Sequence, residues 1–67
     1  MSIFAKKLKT LRTEQNLKQE DLAKHLGVNQ RTISNWENAV REPDFKTLTQ
    51  IATYFKVSTD YLLGLED

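Results

Sequence analysis

The sequence predicts an all-α domain of short helices, five in number. Two observations carry that expectation. Apolar residues recur at helical spacing along most of the chain, and Gly27 and Gly64 each stand just past the last apolar residue of such a stretch, where a helix stops at little steric cost. No strand, repeat, low-complexity segment or linker interrupts the pattern.

In the first stretch, Ile3 to Asn16, Phe4, Leu8, Leu11 and Gln15 share one face, with Lys6, Lys9 and Thr13 opposite and Arg12 at the margin. The second helix runs from about Lys18 to Leu26, with Leu22, Ala23 and Leu26 inward and Glu20 and Asp21 in the first turn, where the helix dipole favours acids. Gly27 ends it, Val28 packs back, and Asn29 caps a third helix over Gln30–Glu37. That helix puts Ile33, Trp36 and Glu37 on one side and Gln30, Arg31, Ser34, Asn35 and Asn38 on the other. Pro43 and Asp44 start a fourth helix whose apolar face is Phe45, Leu48, Ile51, Ala52 and Phe55. Ser58 caps a short fifth helix, Thr59 to Leu63, closed by Gly64.

A chain of 67 residues holds one domain and buries only about 60% of its unfolded surface; the expectation is a single domain over residues 1–67. Without cysteine there is neither a disulfide framework nor a thiolate metal site, as suits a reducing compartment. No apolar run approaches the roughly 20 residues of a membrane span, and residues 1–11 lack the apolar core of a secretory signal. The expected location is the cytoplasm. Charge is unevenly laid out: residues 1–41 hold eight Lys/Arg against four acids and the remainder two against five, +4 against −3. One face can therefore approach a polyanion while another does not.

Nothing in the chain points to an enzyme or a cofactor. His25 is the only histidine and has no cysteine or second histidine to complete a metal site with it, and no Ser or Thr has a histidine partner in a nucleophile motif. Two glycines are too few for a phosphate-cradling loop.

Two helices joined through a glycine turn, the second carrying base-sized polar side chains, form the pattern of a helix-turn-helix. The residues Gln19, Leu22, Ala23, Gly27, Val28, Ile33, Trp36, Glu37-Asn38, Pro43, Leu48, Ile51-Ala52, Val57-Ser58, Asp60 and Leu62-Leu63 resemble the lambda-repressor and Cro-like (Xre-type) family of DNA-binding regulators, over nearly the whole chain. The fold implied is a compact five-helix lambda-repressor-like DNA-binding domain. The function implied is sequence-specific binding of double-stranded DNA by a bacterial or phage repressor. Matched position by position, the resemblance makes Gln30, Arg31 and Asn35 readers of base edges, with Thr32 and Ser34 lesser candidates. Gln19 touches a phosphate and braces Gln30; Asn38 is a phosphate contact, and Arg41 and Lys46 are candidates. The chemistry agrees: Gln and Asn pair bidentately with adenine, Arg with guanine.

The resemblance also pairs Arg12 with Glu37, and their places at the edges of two facing apolar stripes suggest the same. One such domain touches only a few base pairs, so tight binding requires two copies, a homodimer on a palindromic operator formed from a chain expected to be monomeric in solution; the resemblance puts the contact between copies near helix 5 and the Phe55–Ser58 loop, with Tyr61 and Leu65 as participants. An effector or oligomerisation domain would lie beyond Asp67. Two departures stand out. Lys18 replaces the usual Ser or Thr cap of helix 2, and Ala39 replaces the usual glycine after Glu-Asn, so that Asn38 or the loop must take up the tight turn. Two other functions are compatible with the pattern: the antitoxin of a toxin–antitoxin pair, and a protein-interaction module that kept the fold without DNA contact. For Lys6, Lys7 and Lys9 a solvated face is the simpler role; for Trp36, a place in the core.

Overall fold

The computed structural model describes residues 2–66. Five helices follow in order, α1 Ile3–Glu14, α2 Gln19–Leu26, α3 Gln30–Glu37, α4 Phe45–Phe55 and α5 Thr59–Leu62, with no strand among the described residues. Side-chain oxygens start four of them. Ser2, Asn29, Asp44 and Ser58 accept the backbone N–H groups of Ala5, Thr32, Thr47 and Tyr61 at 2.8–3.0 Å, satisfying donors that a helix start leaves orphaned. At α2 the ammonium of Lys18 has no acceptor to offer. Half of a capping box remains, in which the Asp21 carboxylate accepts the Lys18 N–H at 2.9 Å.

All five helices end in one way. A residue in the left-handed region (Asn16, Gly27, Ala39, Lys56, Gly64) is followed by an apolar residue (Leu17, Val28, Val40, Val57, Leu65) whose N–H donates to the carbonyl five positions back at 2.8–3.1 Å. This is the Schellman arrangement. Leu17, Val28 and Val57 fold back onto the core, whereas Val40 and Leu65 stay exposed. Glycine carries the positive φ at only two of these ends. At Gly64 a Cβ would also stand 2.7 Å from Ile3 Cγ2, while at Gly27 nothing lies within 4 Å and the backbone angle alone favours glycine. Of the two expected possibilities for the turn after α3, the loop takes it up and Asn38 does not: Asn38 keeps φ −97° and Ala39 itself takes φ +60°. The required bond runs from the Val40 N–H to the Asn35 carbonyl, which places the left-handed residue at position 39.

Each helix sends one fully buried aliphatic side chain to the centre: Leu8, Leu22, Ile33, Ile51 and Leu62. Phe4, Leu11, Trp36 and Phe55 close around them. Burying one such side chain is worth ~1.5–3 kcal/mol, and a helix of four to twelve residues would not persist in water without it. Two expected inward positions are outside the core. Gln15 follows the last residue of α1 and is exposed. Phe45, the first residue of α4, is 87% exposed, because no neighbouring element covers the opening turn; it borders a shallow hollow of about 140 Å³ with Phe4, Pro43, Leu48 and Leu63.

The buried pair is Arg12 and Glu37. Arg12 Nε donates to Glu37 Oε2 at 2.6 Å and Nη2 to Oε1 at 3.0 Å, a bidentate fork, and Nη1 donates to the Leu17 carbonyl at 2.7 Å. Only 9% of Arg12 and 3% of Glu37 remain exposed. The hydrogen bonds to Glu37 raise the Arg12 pKa against the lowering effect of burial, so the guanidinium stays charged. No buried side-chain nitrogen or oxygen lacks a partner among the described residues.

Three outcomes are expected. Glu37→Ala strands a buried guanidinium and costs roughly 3–5 kcal/mol, whereas Arg12→Met/Glu37→Met, which removes both charges, stays within about 2 kcal/mol of the parent; Trp36 fluorescence during denaturant melts separates the two. Ala39→Gly relieves the left-handed alanine and adds about 0.5–1 kcal/mol, several degrees in Tm for a domain this small. Asp44 is held below its ordinary pKa of 3.8 by hydrogen bonds from the Thr47 hydroxyl and N–H. A depressed folded-state value means that its contribution is complete above the unfolded value and vanishes as pH falls through the folded one. Asp44→Ala therefore melts below the parent at neutral pH, and the gap closes in thermal melts taken under strongly acidic conditions.

Candidate nucleic-acid interface

The geometry of α3 follows from what its eight residues bury. Ile33, Trp36 and Glu37 face the core, and at about 100° per residue the opposite side falls to Arg31, Asn35 and Asn38. Gln30 and Ser34 flank that side next to Glu37, and Thr32 flanks it next to Trp36. Gln30, Arg31 and Asn38 are exposed; Thr32, Ser34 and Asn35 are half-buried. The sequence-derived row is therefore one continuous polar surface.

Its members are not equally free. The Thr32 hydroxyl donates to Asn29 Oδ1 at 3.0 Å, within the cap that starts α3. Asn38 Nδ2 donates to Ser34 Oγ at 3.2 Å. Among the described residues no hydrogen bond occupies the side chains of Arg31 or Asn35. The Asn35 carbonyl accepts from the backbone of Val40 and, at 3.4 Å, of Arg41. This ties the loop carrying the exposed Arg41 to α3. Lys46 stands exposed in the first turn of α4, outside the row.

A hydrogen-bonded path that sequence reasoning did not contain joins this surface to the core. Gln19, at the start of α2, donates from Nε2 to Glu37 Oε1 at 3.1 Å. Gln30 Nε2 in turn lies 3.5 Å from Gln19 Oε1, at the outer limit of a hydrogen bond. The contact of Gln19 with Gln30 was expected; that of Gln19 with Glu37 was not. Two polar residues eighteen positions apart give no periodic signal that would have paired them.

Away from α3, His25 stacks on Tyr54 with ring centroids 5.1 Å apart, and Lys7 Nζ sits 4.0 Å from the centre of the Tyr61 ring. Among the described residues no group of three or more His, Cys, Asp or Glu could hold a metal ion, and no helix is long and apolar enough to cross a membrane.

Comparison with known proteins bears directly on this arrangement. The helix-turn-helix family model matches residues 8–62. The HTH-type transcriptional regulator ImmR of Bacillus subtilis (strain 168) is 37% identical over 96% of this chain and 50% of its own length, so the chain spans about half of that relative. The uncharacterised HTH-type transcriptional regulator MJ0272 of Methanocaldococcus jannaschii is 43% identical over 91% of this chain and 92% of its own. Among solved structures, the P22 c2 repressor in complex with a synthetic operator superposes with a TM-score of 0.89 at 27% identity, covering 98% of this chain and all of the other. By sequence and by fold, this chain belongs to the lambda-repressor-like helix-turn-helix family.

Proposed function

We propose that this chain is the DNA-binding unit of a transcriptional repressor and reads double-stranded DNA by placing α3 in the major groove. The observation that carries the reading is the polar row Gln30, Arg31, Asn35, held outward by the burial of Ile33, Trp36 and Glu37 on the same helix. Gln30 and Asn35 are suited to adenine and Arg31 to guanine, each good pair being worth ~1–3 kcal/mol of discrimination. Thr32 and Ser34 contribute less, because each already holds a partner inside the protein. Gln19, Asn38, Arg41 and Lys46 contact phosphates, which position the helix and supply salt-dependent affinity. That a structural neighbour is a repressor with its operator supports the same reading.

One recognition helix touches only a few base pairs, so the operator is an inverted repeat with half-sites one helical turn apart, roughly 34–36 Å. Two copies bind it. Exposed Leu63 and Leu65, at and just after the end of α5, support a contact between the copies near α5 and the Phe55–Ser58 loop, in which Tyr61 takes part. A fuller regulator would add an effector or oligomerisation domain to this unit and would act in the cytoplasm.

Selection of binding sites from a randomised duplex pool at low salt tests the reading. An enriched inverted repeat is expected, and a pool that stays random, with the chain also artificially linked as a dimer, overturns it. With a site in hand, Gln30→Ala, Arg31→Ala and Asn35→Ala each relax selectivity at one base position by ~1–3 kcal/mol while leaving the melting curve unchanged. Lys46→Ala and Arg41→Ala weaken binding to every sequence alike and reduce the salt slope by about one per subunit.

A further inference from the structure

Among the described residues Phe45 is the most exposed large apolar side chain, at 87%. It forms one wall of the hollow of about 140 Å³ whose other walls are Phe4, Glu42, Pro43, Leu48 and Leu63, and its own ring leaves that hollow unfilled. The walls are largely apolar, and an apolar cavity of about 150 Å³ takes up a benzene molecule. A single phenyl ring therefore matches the hollow in size and in chemistry. Phe4 and Phe55 are buried, so the exposed phenyl beside the hollow is that of Phe45.

Within one chain the ring and the hollow do not satisfy each other. A two-fold axis lets them do so between chains, each ring entering the hollow of the other copy, which is the reciprocal form of an isologous contact. Charge favours the same occupant. The charged neighbours of Phe45 in the chain, Arg41, Glu42, Asp44 and Lys46, sum to zero. Such a patch offers no net attraction to a basic or an acidic segment, and a second copy of it meets no net repulsion. Leu63 is a wall of the hollow and also part of the exposed apolar surface at the end of α5, so one contact covers both.

We infer that Phe45 anchors the contact between two copies on the operator, each ring inserting among Phe4, Pro43, Leu48 and Leu63 of the other. The inference rests on the chain binding an inverted repeat as two copies. It goes beyond that reading by giving the contact an anchor, a receiving hollow and a reciprocal geometry. A buried phenyl accounts for about 150–250 Å², so two rings with the hollows that receive them stay below the roughly 1,200–2,000 Å² of a stable interface. The copies therefore pair where DNA holds them side by side and raises their effective concentration.

The test compares binding to the selected inverted repeat with binding to a duplex that carries one half-site. The parent is expected to fill the second half-site of the repeat roughly tenfold or more tighter than an isolated half-site. In Phe45→Ser that factor falls to about twofold or less, while affinity for the single half-site and the Trp36 melt stay at the parent's values. A variant that keeps the parent's factor overturns the inference. So does one that loses affinity for the single half-site to the same extent, since the ring would then be touching DNA. A second readout locates the ring and decides alone if Phe45→Ser does not fold. The protein has no cysteine of its own, so an equal mixture of Phe45→Cys and Leu63→Cys chains can be treated with a short bismaleimide. Crosslinked heterodimer is expected on the inverted repeat and not on the single half-site, and its absence on the repeat overturns the inference. A parent that binds neither duplex overturns the proposed function, and the inference with it.

Discussion

Glu37 is where the packing of this domain and its exposed polar surface meet. A carboxylate and a guanidinium taken out of water each lose several kcal/mol of hydration, and a single contact between them does not restore it. Here the return is spread over four hydrogen bonds. Two join Arg12 to Glu37, one joins Arg12 to the Leu17 carbonyl in the α1–α2 connection, and one joins Gln19 to Glu37. The pair therefore ties α1, the connection after it, the start of α2 and the end of α3 at one point. The polar row of α3 keeps its angle to α2 because this point and the apolar contacts of Ile33 and Trp36 act on the same helix.

Short helices make such tethering necessary. Elements of four to twelve residues gain little from propensity alone, so their stability is almost entirely tertiary. Every end must then stop where the next helix can return to the core, and the repeated left-handed residue followed by an apolar one does this at all four connections and also closes α5. Non-glycine residues carry the angle at Asn16, Ala39 and Lys56. Where the following apolar residue packs inward, as Leu17 and Val57 do, its burial offsets the strain. After Ala39 it does not, since Val40 is 67% exposed, and this turn is the least supported of the three that lack glycine.

The candidate interface was more legible in the sequence than its supports. Spacing on α3 separated Ile33, Trp36 and Glu37 from Gln30, Arg31, Asn35 and Asn38 correctly, because an eight-residue helix with one buried edge has only one free side. The family resemblance was likewise readable from residues spread over the chain. Spacing could not say which members of the row are free. By spacing Ser34 looks as available as Asn35, yet its hydroxyl holds a partner within α3. Nor could it place Phe45, whose position fits the apolar period of α4 but which precedes the first turn that anything covers.

By itself the sequence determined the helices, the caps at Asn29, Asp44 and Ser58, the glycine stops and the side of α3 that faces outward. All of these follow from contacts within a few residues or from a period of 3.6, which local order preserves. Only the tertiary structure decided that Ala39 rather than Asn38 takes the left-handed turn and that Gln19 joins Glu37. Those depend on distances between residues far apart in the chain. There the donor and acceptor rules for buried groups, rather than periodicity, select among the side-chain arrangements that the pattern leaves open.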